Sequence, residues 1–156
     1  MKAIKIFIVC CLLGMGIQVN AQNCGPIAAP ELRRILVELG YTVKDLNTTV
    51  GKEKYEVKLV TTTLDVPMGF EISPSTNFIW LTVFLGKPFE ETSPKNIALL
   101  KRNAIVQPCQ FYITEKGNLM MGMALENRAV TNAVLKKFSD QLAKKVSDNQ
   151  EYWKQN

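Results

Sequence analysis

The chain has 156 residues, is 47% hydrophobic, and carries a formal net charge of +5 with no histidine. The missing imidazole excludes Ser–His and Cys–His nucleophile pairs, histidine metal sites and the usual general base near neutral pH. The cations are dispersed, which excludes the dense basic stripe of a nucleic-acid-binding surface.

The N-terminal residues read as an address rather than as part of a fold. Met1-Lys2-Ala3-Ile4-Lys5 is a basic start, residues 6–17 are an apolar run, and Val19-Asn20-Ala21 supplies small residues for cleavage. Such a run is short for a membrane span, and the three parts together have the form of a secretory signal peptide. The expectation is a signal peptide over 1–21, cut after Ala21, and one domain over 22–156, exported to the periplasm or beyond. An uncleaved anchor is the alternative; Ala21-Gln22-Asn23 before Cys24 does not make a lipobox. Cleavage removes Lys2 and Lys5 with no acid, so the positive charge falls by two. It also removes Cys10 and Cys11 and leaves Cys24 and Cys109. Two cysteines in an oxidising compartment pair more often than not, so a Cys24–Cys109 disulfide is expected. The alternative is a buried thiol and a free one near a frayed end.

Pro30-Glu31 suits a first helical turn, where proline needs no N–H and an acid complements the helix dipole. Leu32, Ile35, Leu36 and Leu39 follow at helical spacing, and Gly40 stands where a helix stops. Residues 41–51 are polar and read as a turn. Tyr55, Val57 and Leu59 alternate with charged residues, which predicts a half-exposed strand. Leu64, Val66, Met68, Phe70 and Ile72 alternate as well, but Pro67 cannot donate to a ladder and points to an edge or a bulge.

After a turn over 73–77, residues 78–85 are the most apolar run beyond the signal. Ile79, Leu81, Val83 and Leu85 fall on one face; Phe78, Trp80, Thr82 and Phe84 fall on the other. A strand apolar on both faces is one covered on both. If helices cover only one side, the aromatic set is left for a partner, a ligand or a loop of the same chain. Ser93-Pro94 then opens a second helix, with Ile97, Leu100 and Ala104 as its expected buried stripe and Pro108 as its end.

Phe111-Tyr112-Ile113-Thr114 and residues 119–125 alternate around Glu115-Lys116-Gly117-Asn118, a hairpin turn in which Gly117 supplies positive φ. Gly122 in mid-strand implies a close approach, and a helix is expected over it. Thr131 is the N-cap of a long last helix, with Val130 and Leu135 placed as a hydrophobic staple. Val134, Leu135, Phe138, Leu142, Val146 and Trp153 form its apolar arc.

These elements predict an α+β fold, an antiparallel sheet of about five strands packed by helices, in the order α-β-β-β-α-β-β-α. That order, and above all the tail from Phe111-Tyr112-Ile113 through Gly117-Asn118-Leu119 to Leu142 and Tyr152-Trp153, resembles the type III secretion chaperone-like superfamily, including its YbjN-like branch. The resemblance implies a non-enzymatic module, often a dimer, that offers apolar patches to a protein or peptide. An export signal and a basic charge depart from that family.

The functional expectation is an exported, non-catalytic binding module, with a protein or peptide partner or a homodimer seated on Phe78, Trp80, Thr82 and Phe84. The other account of those four is ordinary core, covered by a helix or by the segment around Tyr41. A small-ligand or lipid carrier is the alternative function, with Met68, Met120, Met121 and Met123 lining a pocket. The carboxylates are scattered and Ser73 and Ser75 have no histidine base, so no catalytic residue is assigned. No cofactor, metal, nucleic acid or membrane-surface partner is expected. Lys136-Lys137 and Lys144-Lys145 read as the wet side of the last helix.

Overall fold

The computed structural model describes residues 25–90 and 92–155. The signal-peptide residues and Cys24 lie outside them. The order is α1 (Ala29–Glu38), β1 (Lys44–Asn47), β2 (Lys54–Val60), β3 (Asp65–Ile72), β4 (Phe78–Gly86), α2 (Pro94–Val106), β5 (Gln110–Ile113), β6 (Leu119–Glu126), α3 (Asn132–Asp148) and a last turn of helix, α4 (Gln150–Trp153). The six strands form one antiparallel sheet in the order β1-β2-β3-β4-β6-β5. The α+β class and the order of the expected elements stand; β1 is the added strand. Its four residues are all exposed and carry no alternation, so nothing local distinguishes them from a polar turn.

Register places the apolar sets in rows. Tyr55, Phe70, Leu81 and Met123 are cross-strand neighbours, as are Val57, Met68, Val83, Met121 and Phe111. All nine are buried. Leu32, Ile35 and Leu36 of α1 and Leu135, Leu142, Ala143 and Val146 of α3 close over this face. Burial of that apolar surface, at about 25 cal/mol per Å², is the main stabilising term.

Proline 67 belongs to an interior strand, yet its missing N–H breaks no bond. It pairs with Lys58 of β2, while the β3–β4 pairing begins only one residue later, at Met68 and Val83. In an antiparallel ladder, backbone groups alternate between the two neighbours. Thr61 N–H donates to Leu64 C=O at the β2–β3 hairpin, which fixes the phase: Pro67 directs its nitrogen to the β4 side, beyond the last pair.

Three expectations are corrected. No helix among the described residues lies over Gly122; a Cβ there would meet the Leu81 carbonyl oxygen at 2.9 Å and the Tyr112 ring at 3.3 Å. The close approach comes from a neighbouring strand on the face away from the helices. Second, α2 buries Leu99 and Val106, whereas Ile97, Leu100 and Ala104 are exposed. The helix sits at the β5 end of the sheet instead of across it, held by polar contacts. Its Asn103 carboxamide accepts from Phe111 N–H (2.7 Å) and donates to Phe111 C=O (3.1 Å). Arg102 donates to Asn149 Oδ1 (2.5 Å) and lies over the Tyr152 ring, 4.5 Å from its centroid. Third, the last helix breaks at Asn149, whose buried side chain accepts from Arg102 and donates to Lys145 C=O (2.7 Å). Serving both neighbours takes Asn149 out of helical geometry (φ −114°, ψ 20°).

One buried carboxamide gathers the chain's entry. Asn127 accepts from Ile27 N–H (3.1 Å) and donates to the carbonyls of Ile27 (3.0 Å) and Thr76 (2.8 Å), while its own N–H donates to Asn77 C=O (2.8 Å). Cys109 is fully buried, its Sγ 3.9 Å from Met123 Sδ.

Candidate functional site: the uncovered face of the sheet

Because α1 and α3 both pack on one face, no helix among the described residues lies over the opposite face. Period two sends Phe78, Trp80, Thr82 and Phe84 of β4 to that uncovered side. Phe78 is 43% exposed, Phe84 is 57% exposed, and Trp80 is half-buried. Phe78 and Phe84 are therefore not ordinary core.

Thr82 does not join them at the surface. It is buried between Gly69 and Gly122, its cross-strand neighbours, and its Oγ1 lies 3.0 Å from where a Cβ on Gly69 would sit. The Gly–Thr–Gly row makes a low band across the middle of the face. Trp80 rises on one side, between Glu71 and Ala124. Phe84 rises on the other, in one row with Met120 and Tyr112. The Tyr112 ring leans over Gly122, and the Lys54 side chain reaches over Gly69.

Register thus adds Tyr112 and Met120 to the predicted set. Each carried a signal, since Met120 alternates against Met121 and Tyr112 against Phe111. What the sequence lacked was the strand order that brings β5 and β6 beside β4. Burial pushes the Tyr112 hydroxyl above its ordinary pKa, with the Glu71 carboxylate adding to the effect.

The face is divided by charge. On its β1–β3 half, Lys44–Glu56 (3.4 Å), Lys54–Glu71 (3.3 Å) and Lys58–Asp65 (3.0 Å) pair cations with acids. On its β4–β6–β5 half, apart from Glu126 at the end of β6, the outward residues are aromatic, aliphatic or uncharged. Surface ion pairs of the first kind contribute little stability, but they leave that half with balanced charge. The aromatic half can bury rings and a thioether against a partner, the chemistry that concentrates binding energy at protein interfaces.

The remaining candidates separate. Met68, Met121 and Met123 are buried core, the gap-filling role preferred for them over the alternative of a ligand-pocket lining. Cys109 has its thiol pushed up to about 11 by burial; its expected partner Cys24 is outside the described residues. Among the described residues no three acidic or cysteine side chains converge as a metal site, and no helix is long and apolar enough to cross a membrane.

No protein-family model matches the sequence, and no curated protein matches it. Among solved structures, the fold is similar to a chain from the heterodimeric complex ExoU–SpcU of the type III secretion system of Pseudomonas aeruginosa. The two share 15% identity over 78% of this chain and 96% of that one, with a TM-score of 0.46.

Proposed function

We propose that this chain is an exported, non-catalytic binding module of secretion-chaperone-like architecture, and that it holds a protein or peptide on the uncovered sheet face. The observation that carries this reading is the set of Phe78, Trp80, Phe84, Met120 and Tyr112, flanking the Gly–Thr–Gly band on a side of the sheet that none of the described helices covers. Apolar side chains grouped in this way mark interaction sites more often than solvated surface. Export rests on the basic start, apolar run and cleavage residues of 1–21. In an oxidising compartment Cys24 and Cys109 form the disulfide of the mature protein.

The test compares wild type with Trp80→Ala and Phe84→Ser, measuring molar mass by light scattering, capture of partners from an envelope fraction, and the urea midpoint. The expected result is loss of capture, or of self-association, with a nearly unchanged midpoint. A fall in midpoint with binding intact would return these rings to a structural role.

A further inference from the structure

We propose that Met120 is an oxidation site on the aromatic face: a peroxide turns its thioether into the sulfoxide, and the face loses its apolar character in the row of Phe84, Met120 and Tyr112. The consequence for binding rests on the function proposed above; the modification itself does not.

Burial separates the methionines. The described residues hold Met68, Met120, Met121 and Met123, while Met1 and Met15 fall in the expected signal peptide. Met68, Met121 and Met123 are fully buried in the core that α1 and α3 close. Met120 is half-buried and faces the other way. Period two is the cause: Met120 and Met121 are adjacent in β6 and stand on opposite sides of the sheet. Across the strands Met120 lies between Phe84 of β4 and Tyr112 of β5. A dissolved oxidant meets the Met120 side chain at the surface and the other three only when the fold opens.

The step balances with hydrogen peroxide alone. A sulfur lone pair attacks one peroxide oxygen, an S–O bond forms and the O–O bond breaks. The departing hydroxide takes up the remaining peroxide proton and leaves as water. Sulfur loses two electrons and peroxide gains them. The protein supplies no base, so the absence of histidine is no obstacle. Cys109 does not compete, because its thiol is fully buried and its thiolate is disfavoured there.

The product is polar where the thioether was not, and reductases specific for each sulfoxide epimer reverse it. A partner that packs on this row then has to cover an oxygen it was not shaped to satisfy. Burying a polar group unpaired costs binding. Oxidation thus turns the aromatic face down, and reduction restores it, while the covered face of the same strand is untouched.

The experiment treats the folded mature protein with hydrogen peroxide and maps the added oxygen by mass spectrometry. The tryptic peptide 117–128 carries Met120, Met121 and Met123 together, so fragment ions assign the oxygen against two internal controls. Met120 is expected to react at least about tenfold faster than the other three. Equal rates in the folded protein overturn the site. A second arm titrates 8-anilinonaphthalene-1-sulfonate, a dye that binds exposed apolar surface. Its affinity should fall at least about threefold when wild type is oxidised, and peroxide should leave the affinity of Met120→Leu where it was. No fall in oxidised wild type, or the same fall in Met120→Leu, overturns the switch. Trp80→Ala and Phe84→Ser report on the face itself. Dye binding undiminished in both counts against the aromatic-face reading, and the oxygen map still decides whether Met120 is the site.

Discussion

The two faces of this sheet are built from the same strands and nearly the same residue types, yet they are covered differently. One face carries Phe70, Leu81, Met121 and Met123 under two helices; the other carries Trp80, Phe84, Met120 and Tyr112 under none of the described ones. Hydrophobicity does not separate them, because phenylalanine and methionine stand on both. Coverage does, and coverage is decided by where α1 and α3 lie. An apolar residue in a strand is thus core only when something packs over it; otherwise it is a surface with a cost in solubility, which makes sense where a partner uses it.

The largest effect that sharpens this contrast comes from truncating one aromatic on each face. Phe70→Ala, fully buried, should cost about 3–5 kcal/mol in urea unfolding. Phe84→Ser, on the open side, should stay within about 0.5 kcal/mol; equal losses would mean both faces are core. Next is Gly122, where the open face dips. Gly122→Val places a Cβ against the Leu81 carbonyl oxygen and the Tyr112 ring, and should cost about 1–3 kcal/mol by the same measurement. A neutral result would show that the Leu81 carbonyl and the Tyr112 ring do not crowd that position. Thr131→Ala removes the oxygen that accepts from Val134 N–H at 3.2 Å and should cost about 1 kcal/mol, felt on the covered face because α3 closes it.

The smallest effect concerns chemistry rather than stability. As a thiol, Cys109 should resist alkylation near pH 8 in the folded protein, since burial disfavours its thiolate. Counting thiols after unfolding without reductant then tests the bridge to Cys24: none supports it, and two removes it.

Much of this was legible in the chain itself, and the failures have a common cause. Strands β2, β3, β4 and β6 announce themselves by alternation, and α1 and α3 by helical stripes and their first turns. The candidate set on β4 followed from period two alone. In α2, however, two stripes compete, Ile97-Leu100-Ala104 and Leu99-Val106. The choice falls to Asn103 meeting Phe111 and Arg102 meeting Asn149, contacts that periodicity does not encode. Gly122 signalled a close approach correctly; which neighbour supplied it depended on β5 lying beside β6. Strand β1 has no pattern to read and exists because β2 offers it an edge.

Asn127 has a mechanical consequence. By holding Ile27 and Thr76 in one carboxamide, it connects the incoming chain to the β3–β4 hairpin before α1 begins. Traction from the N-terminal side meets these hydrogen bonds at Ile27 before it reaches the first turn of α1. A module tethered by its leading end would keep its first helix seated while the tether is under tension.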